Sequence, residues 1–215
     1  MKLSEVKRLV AGGESETVEF KRKAAHPEKI VKELVAFANT HGGYLFLGVS
    51  DDGSIPGLKF PEDEIFALDQ AIKKYCKPSF KYTNEITPIS ENRSVVTYYI
   101  PSSKKRPHYV ITDFETKWGQ AFIRVEDKSI KASREVREIL KRATRNKDIQ
   151  FTYGDKEKIL LDYLDKHENI TLTEFKKLAR LNNYKASKTL IILVLANVLK
   201  VEPNEKSDIY KLKYV

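Results

Sequence analysis

One segment, residues 27–57, constrains the fold of this chain more than any other. Apolar residues recur at helical spacing over residues 27–40, which predicts a helix with one broad buried stripe. After the double glycine 42–43, residues 44–49 are apolar at every position except Gly48. A strand that is apolar along its length is typical of a sheet covered on both faces. The segment therefore predicts a layered fold with this strand near its centre.

The double glycine beside a strand has two interpretations. A phosphate-binding loop would lie at a helix N-terminus, where free N–H groups and the positive end of the helix dipole meet the anion. Here the pair follows a helix C-terminus, and the lysine and hydroxyl of a nucleotide P-loop are missing. We therefore favour a structural interpretation, in which Gly42 is a left-handed helix cap and close packing follows it.

Length and composition narrow the class of protein. The chain has 215 residues, 41% of them hydrophobic, which is enough for a medium domain plus a small one. No window approaches the roughly 18 apolar residues that a membrane span needs. The N-terminus lacks the apolar core of a secretory signal, and the single cysteine, Cys76, excludes an internal disulfide and a cysteine-based zinc site. We expect a cytoplasmic protein with no membrane attachment.

The positive charge of the chain is concentrated in one region. The formal net charge is +9. Residues 1–97 carry 14 basic and 14 acidic side chains, whereas residues 98–147 carry 13 basic and 6 acidic ones, a net of +7. A local positive field favours a polyanion, of which nucleic acid is the commonest intracellular example. The alternative is that these charges form an ordinary hydrated surface with no polyanionic partner.

Alternating patterns predict several strands in the first part of the chain. Residues 14–21 alternate between polar and apolar side chains, so Glu19 and Lys21 are expected on the same face. Two hairpins are predicted further on, each made of two short strands. Their strands are residues 80–86 with 95–100, and residues 109–112 with 121–125.

A run of cations lies between the two predicted hairpins. Lys104, Lys105 and Arg106 are consecutive on a loop that we expect to be exposed, where they would gain from a nearby phosphate. Arg124 and Lys21 are further candidates for contacts to nucleic acid in the same part of the chain.

The chain is predicted to contain two domains. The regular patterns lapse over residues 147–155, which we interpret as a linker. A first domain of residues 1–146 is closed by a predicted helix over residues 132–145. The second domain comprises residues 156–215.

The second domain is predicted to contain three helices and then a hairpin, which is the order of a winged helix. In that layout the third helix meets the major groove of DNA. Lys185, Ser187 and Lys188 lie near the start of this helix and are candidates for contact. The alternative is a winged helix that packs or dimerises without touching DNA.

The first 146 residues resemble the Schlafen AlbA-like domain in five motifs that occur in the same order. The motifs are ESETVEFK, AFANTHGGYLFLGVSDDG, IPGL, PHY and FIRVEDKSIKAS. That domain is common in bacterial proteins regarded as transcriptional regulators, where a helix-turn-helix follows it. The resemblance implies an α+β fold related to Alba that binds nucleic acid, with a mixed sheet and flanking helices. Because Alba pairs two such units, it also implies a homodimer.

The same resemblance implies an alternative function. In animal Schlafen proteins, tandem copies of this fold cleave transfer and ribosomal RNA with two glutamates and an aspartate, which correspond by motif to Glu14, Glu19 and Asp51. Three converging carboxylates would suit Mg²⁺ or Mn²⁺, which would activate water. In the structural alternative, Glu19 pairs with Lys21 and Asp51 is a turn residue. The Schlafen zinc site is absent, and Ser50 stands where the family pattern often has another aspartate.

We therefore predict a DNA-binding transcriptional regulator that is homodimeric, with an Alba-related α+β domain followed by a small winged-helix domain. No cofactor is assigned. A metal-dependent RNA endonuclease is the alternative, with Mg²⁺ or Mn²⁺ as its cofactor. A third hypothesis is a module that binds a nucleotide or a protein, for which no salt-dependent affinity for DNA or RNA is expected.

Overall fold

The computed structural model describes residues 1–116, 118–143 and 152–213. Its chain divides into two compact units, Met1–Lys131 and Ala132–Val215. No helix in the described ranges is long and apolar enough to cross a membrane.

The first unit is a mixed α+β structure, as predicted. Its elements are α1 (Leu3–Ala11), β1 (Val18–Lys21), α2 (Pro27–Asn39), β2 (Gly42–Leu47), α3 (Pro61–Tyr75), β3 (Cys76–Lys77), β4 (Thr83–Ser90), β5 (Arg93–Pro101), β6 (Tyr109–Asp113), β7 (Trp118–Gln120), β8 (Phe122–Val125) and β9 (Lys128–Lys131).

A four-stranded sheet in the order β1-β2-β5-β4 forms the core of this unit. β1 and β2 are parallel, with α2 as the crossover between them, and the other two pairings are antiparallel. Leu45 and Leu47 of β2 pack against α2 and α3, whereas Phe46 packs against Val6 and Val10 of α1. The prediction that this strand is covered on both faces is confirmed.

The double glycine meets two steric demands. Gly42 has φ +82°, a backbone conformation that residues with a side chain rarely adopt. A Cβ on Gly43 would lie 2.6 Å from the Phe37 ring and 2.7 Å from the carbonyl oxygen of Thr17. Close packing is therefore confirmed, but Gly42 does not cap the helix. The cap is Thr40, and Gly42 is the first residue of β2.

One predicted hairpin is confirmed and the other is wrong. β4 and β5 pair as expected. β6 pairs with β7, however, and β8 pairs with β9, so the predicted partners belong to different sheets. Each pair is joined by a tight turn, and at the first turn the Asp113 carboxylate accepts hydrogen bonds from the backbone of Glu115 and Thr116. At the second turn Glu126 adopts φ 55°.

The second unit contains three helices followed by a hairpin, preceded by one more helix. Its elements are α4 (Arg134–Ala143), α5 (Asp155–Leu164), β10 (Ile170–Thr171), α6 (Leu172–Leu178), α7 (Asn183–Leu195), β11 (Leu199–Glu202) and β12 (Ile209–Leu212). The short strand β10, which the sequence did not predict, joins the hairpin in an antiparallel sheet of order β10-β12-β11.

The compact units divide at residue 131, earlier than the predicted domain boundary at residue 146. The difference lies in α4, which packs within the second unit because its Glu135 accepts a hydrogen bond from Ser187 of α7. Ser133, just before α4, likewise donates to Asp208. Residues 147–151 of the predicted linker lie outside the described residues, and Asp155 already belongs to α5.

Candidate functional site

The free edge of β1 is covered by side chains. β1 is the outer strand of its sheet, and the backbone groups of Val18 and Phe20 point away from β2. The Phe20 N–H donates to Oε1 of Glu14 at 2.8 Å, and Nζ of Lys21 donates to the Phe20 carbonyl at 2.8 Å. The Val18 carbonyl accepts from Nη2 of Arg124 at 3.3 Å. An open strand edge invites pairing with other chains, and these side chains close it.

Arg124 is the centre of this network, although it is only 2% exposed. Its Nη1 lies 2.8 Å from Oε2 of Glu19 and 3.0 Å from Oε2 of Glu33. Nη2 and Nε donate to the carbonyl of Ser15 at 2.8 and 3.3 Å. The guanidinium carbon lies 5.0 Å from the centre of the Phe37 ring. One side chain of β8 therefore ties α2 to the strand β1 and the turn before it.

Lys21 completes the charge balance of the network. It contacts Glu19 on the same face of β1, which confirms the predicted alternation. Burial raises the pKa of Glu19, while the contacts to Lys21 and Arg124 oppose that rise. Burial alone would lower the pKa of Lys21, but its bond to Glu19 and the neighbouring carboxylates outweigh burial and raise it. Lys21 therefore stays charged at neutral pH beside the buried carboxylates.

The predicted basic loop closes the C-terminal end of α2. The backbone N–H of Ser103 donates to the carbonyl of Ala38 at 2.9 Å. Nη1 of Arg106 donates to the carbonyls of Asn39 and Thr40, each at 3.2 Å. These carbonyls have no partner within the helix, and a cation complements the negative end of its dipole. Arg106 therefore has a structural role at this helix end.

The structure corrects part of the predicted nucleic-acid surface of the first unit. Lys104 and Lys105 are exposed, as expected. Arg124 is buried in the network around Glu19, so the prediction that it contacts phosphate is wrong. Arg106 and Lys21 are half-buried and bonded to groups of the chain itself.

The start of α7 exposes a compact polar face. Lys185 and Lys188 are both exposed, as predicted. Tyr184 is 60% exposed, and it shares their face because it lies four residues before Lys188. Oδ1 of Asn182 accepts from the N–H of Lys185 at 2.9 Å and so caps the helix. Tyr184 was missed by the sequence analysis, although this spacing was available there.

Ser187 does not belong to the exposed face. It is buried and donates to Oε1 of Glu135 at 2.6 Å, so the expectation that it is available for contact is wrong. The reason is helical geometry, because Ser187 lies on the side of α7 that packs against α4.

A family model described as Schlafen, AlbA_2 matches residues 14–133. The chain belongs to this family. The matched Schlafen AlbA_2 region contains the whole network around Arg124, whereas α7 lies beyond it.

Two solved structures are similar to this chain. The DIP2311 protein from Corynebacterium diphtheriae has a TM-score of 0.47 and 21% identity over 76% of this chain and 33% of its own. The N-terminal domain of a RecG-related protein from Nitrosomonas europaea has a TM-score of 0.39 and 20% identity over 47% of this chain and 74% of its own. The chain thus spans about a third of the length of the first structure. No curated protein matches the chain.

The carboxylates of this Schlafen AlbA_2 domain do not fit a divalent metal ion. Across the parts of the chain that the structure describes, no group of three or more His, Cys, Asp or Glu side chains is placed to hold one. Glu14 is bonded to the backbone of β1, and Glu19 and Glu33 are paired with Arg124. Asp51 lies exposed in the turn after β2. The arrangement supports closure of a strand edge better than metal chemistry.

Proposed function

We propose that this protein is a DNA-binding transcriptional regulator that reads duplex DNA with α7. Membership of the Schlafen AlbA_2 family suggests a nucleic-acid-binding role for the chain. The observation that carries the finer proposal is the exposed face of α7, formed by Tyr184, Lys185 and Lys188.

The topology of the second unit supports this use of α7. The unit has the order helix, strand, helix, helix and hairpin, and its first strand joins the hairpin. This order supports our proposal that the unit is a winged helix. The third helix of such a unit enters the major groove and contacts base edges with its N-terminal residues. In α7 those residues are Tyr184, Lys185 and Lys188.

Electrostatics at the start of α7 favour DNA as well. The first turn, residues 183–186, contains no acidic residue. Its backbone N–H groups and the positive end of the helix dipole attract phosphate, and the two exposed lysines add full charges. Lys104 and Lys105 are proposed as further phosphate contacts from the first unit.

We propose a homodimer as the binding species, in keeping with the pairing of Alba-like units. Two reading helices related by a two-fold axis would contact two half-sites about one helical turn apart. Sedimentation equilibrium at the concentration of the DNA assay tests this step, and a monomer that binds DNA with full affinity would overturn it.

The experiment compares duplex binding of matched charge-reversal variants by fluorescence anisotropy. We expect Lys185→Glu/Lys188→Glu to weaken binding about tenfold or more, and the corresponding Ala variant to reduce the slope of log affinity against log salt by about 2. Lys158→Glu/Lys166→Glu is the control, because it makes the same change in charge at exposed positions on or just after α5. Equal loss in both double variants would overturn the role of α7.

The alternative function, a metal-dependent RNA endonuclease, has weaker support. It requires Glu14, Glu19 and Asp51 to share a metal ion, and their described contacts do not bring them into such a group. We therefore propose binding without cleavage, and variants of Glu14 incubated with RNA separate the two functions.

A further inference from the structure

The β6–β7 hairpin of the first unit exposes two aromatic side chains. Phe114 is 51% exposed and Trp118 is 56% exposed, one on each side of the turn. A buried aromatic side chain removes about 150–250 Å² from water, so two exposed rings forgo much of that contribution to folding. Both rings are therefore accessible to a partner outside the folded unit.

A lysine contacts the aromatic side chains of this surface. Nζ of Lys74 lies 5.0 Å from the centre of the Tyr75 ring and 5.6 Å from that of Phe114. The two ring centres are 5.5 Å apart and tilted by 57°. Lys73 and Lys77 are also exposed, at the end of α3 and in the strand that follows it. The Lys74 cation thus lies over two ring faces, with two further exposed lysines close to it in the chain.

We propose that this surface, formed by Lys74, Tyr75, Phe114 and Trp118 and called here the aromatic hairpin site, binds single-stranded nucleic acid. Nucleobases would stack on the exposed rings while the backbone phosphates lie near the lysines. Base stacking on aromatic side chains combined with a cationic track is how proteins hold single strands without reading their sequence. The proposal is independent of DNA reading by α7, since it concerns another unit and another ligand.

The charges of the site favour nucleic acid over an apolar protein surface. Because Nζ of Lys74 lies over the Tyr75 and Phe114 rings, the surface is not purely apolar, and a phosphate would complement this cation. The carboxylate of Asp113 is occupied in the turn, where it accepts from the hydroxyl of Thr116 at 2.7 Å. Glu115 is exposed and opposes an anion, so Glu115→Gln should strengthen binding.

The single tryptophan of the chain provides a direct measurement. Because the protein has 1 Trp, its tryptophan emission reports on Trp118 alone. We titrate the full chain with a short oligouridylate and with oligothymidylate, and use inorganic polyphosphate as a polyanion without bases. We expect both oligonucleotides to quench the emission of Trp118, and polyphosphate to leave it unchanged.

Variants of Phe114 separate stacking from folding. Phe114→Leu keeps an apolar side chain but removes the ring, and we expect about tenfold weaker binding of single strands, in line with the stacking free energy of one base. Phe114→Tyr keeps the ring and should bind like the wild type. Phe66→Leu, at another exposed phenylalanine on α3, is the matched control and should also bind normally.

The test of the aromatic hairpin site can fail or succeed independently of the test of DNA reading by α7. Quenching should persist in Lys185→Glu/Lys188→Glu, because α7 takes no part in it. Loss of quenching in that variant would overturn the site. So would single-strand binding that leaves Trp118 emission unchanged or is equal in Phe114→Leu, and the exposed rings would then be assigned to a protein contact.

Discussion

Arg124 and Glu19 form a buried ion pair with 2.8 Å between Nη1 and Oε2. The two residues belong to β8 and β1, which are not neighbours in any sheet. The ion pair therefore joins separate parts of the first unit, and Glu33 of α2 shares the same guanidinium.

Removing the Arg124 cation should strongly destabilise the first unit. Arg124→Met removes the cation that Glu19 and Glu33 share and leaves the buried Glu19 with Lys21 alone, and we expect a loss of about 3–5 kcal/mol in the free energy of unfolding. Denaturant unfolding followed by Trp118 emission measures this loss, because Trp118 lies in the same unit. Arg8→Met, at an exposed position on α1, should change stability by less than about 0.5 kcal/mol. A similar small change for Arg124→Met would contradict the central role of this residue.

Glu14 distinguishes a structural carboxylate from a catalytic one. Since its Oε1 accepts from the Phe20 N–H, Glu14→Gln keeps an acceptor and should cost little stability, whereas Glu14→Ala should cost about 1–2 kcal/mol. Both variants are incubated with transfer RNA in Mn²⁺ and in EDTA. We expect intact RNA for the wild type and for both variants. Metal-dependent cleavage by the wild type that is lost in Glu14→Gln would restore the nuclease function.

Gly43 should tolerate no side chain. A methyl group there meets the Phe37 ring and the Thr17 carbonyl well inside contact distance, so we expect Gly43→Ala to lose about 1–3 kcal/mol or more. Gly12→Ala is the control, because φ at Gly12 is −77° and its nearest atom, the Leu9 carbonyl oxygen at 3.3 Å, needs to move by only a few tenths of an ångström. Thermal unfolding of the two variants makes the comparison. Equal melting temperatures would show that α2 and β2 can move apart.

His108 should make the first unit less stable in acid. Burial lowers its pKa below the ordinary 6.5, although Nδ1 contacts the Pro78 carbonyl at 2.7 Å. As pH falls below 6.5 the unfolded chain binds a proton that the folded state resists, so stability decreases, by at most about 1.4 kcal/mol per pH unit for one group. NMR titration of the His108 ring checks the direction, and a midpoint at or above 6.5 would contradict it.

Local patterns predicted many of the elements of the first unit. The apolar spacing over residues 27–40, the uninterrupted strand after the double glycine and the alternation at Glu19 and Lys21 each depend on neighbouring residues alone. Strand pairing was harder, because β6 and β8 have similar strand patterns, yet each pairs with the strand that follows it across the turn at Asp113 or at Glu126.

The residues of the candidate sites also divide into those that local patterns identified and those that only the folded structure placed. Position near the start of α7 was enough to select Lys185 and Lys188, which are exposed, but it also selected Ser187, which is buried. Arg124 looked like a surface cation, and only the tertiary structure placed it among Ser15, Glu19 and Glu33, about 90 to 110 positions away in the chain. The sequence by itself thus determined most of the longer elements and several of their polar faces. The tertiary structure decided which charges are buried, because burial depends on segments that meet only after the chain has folded.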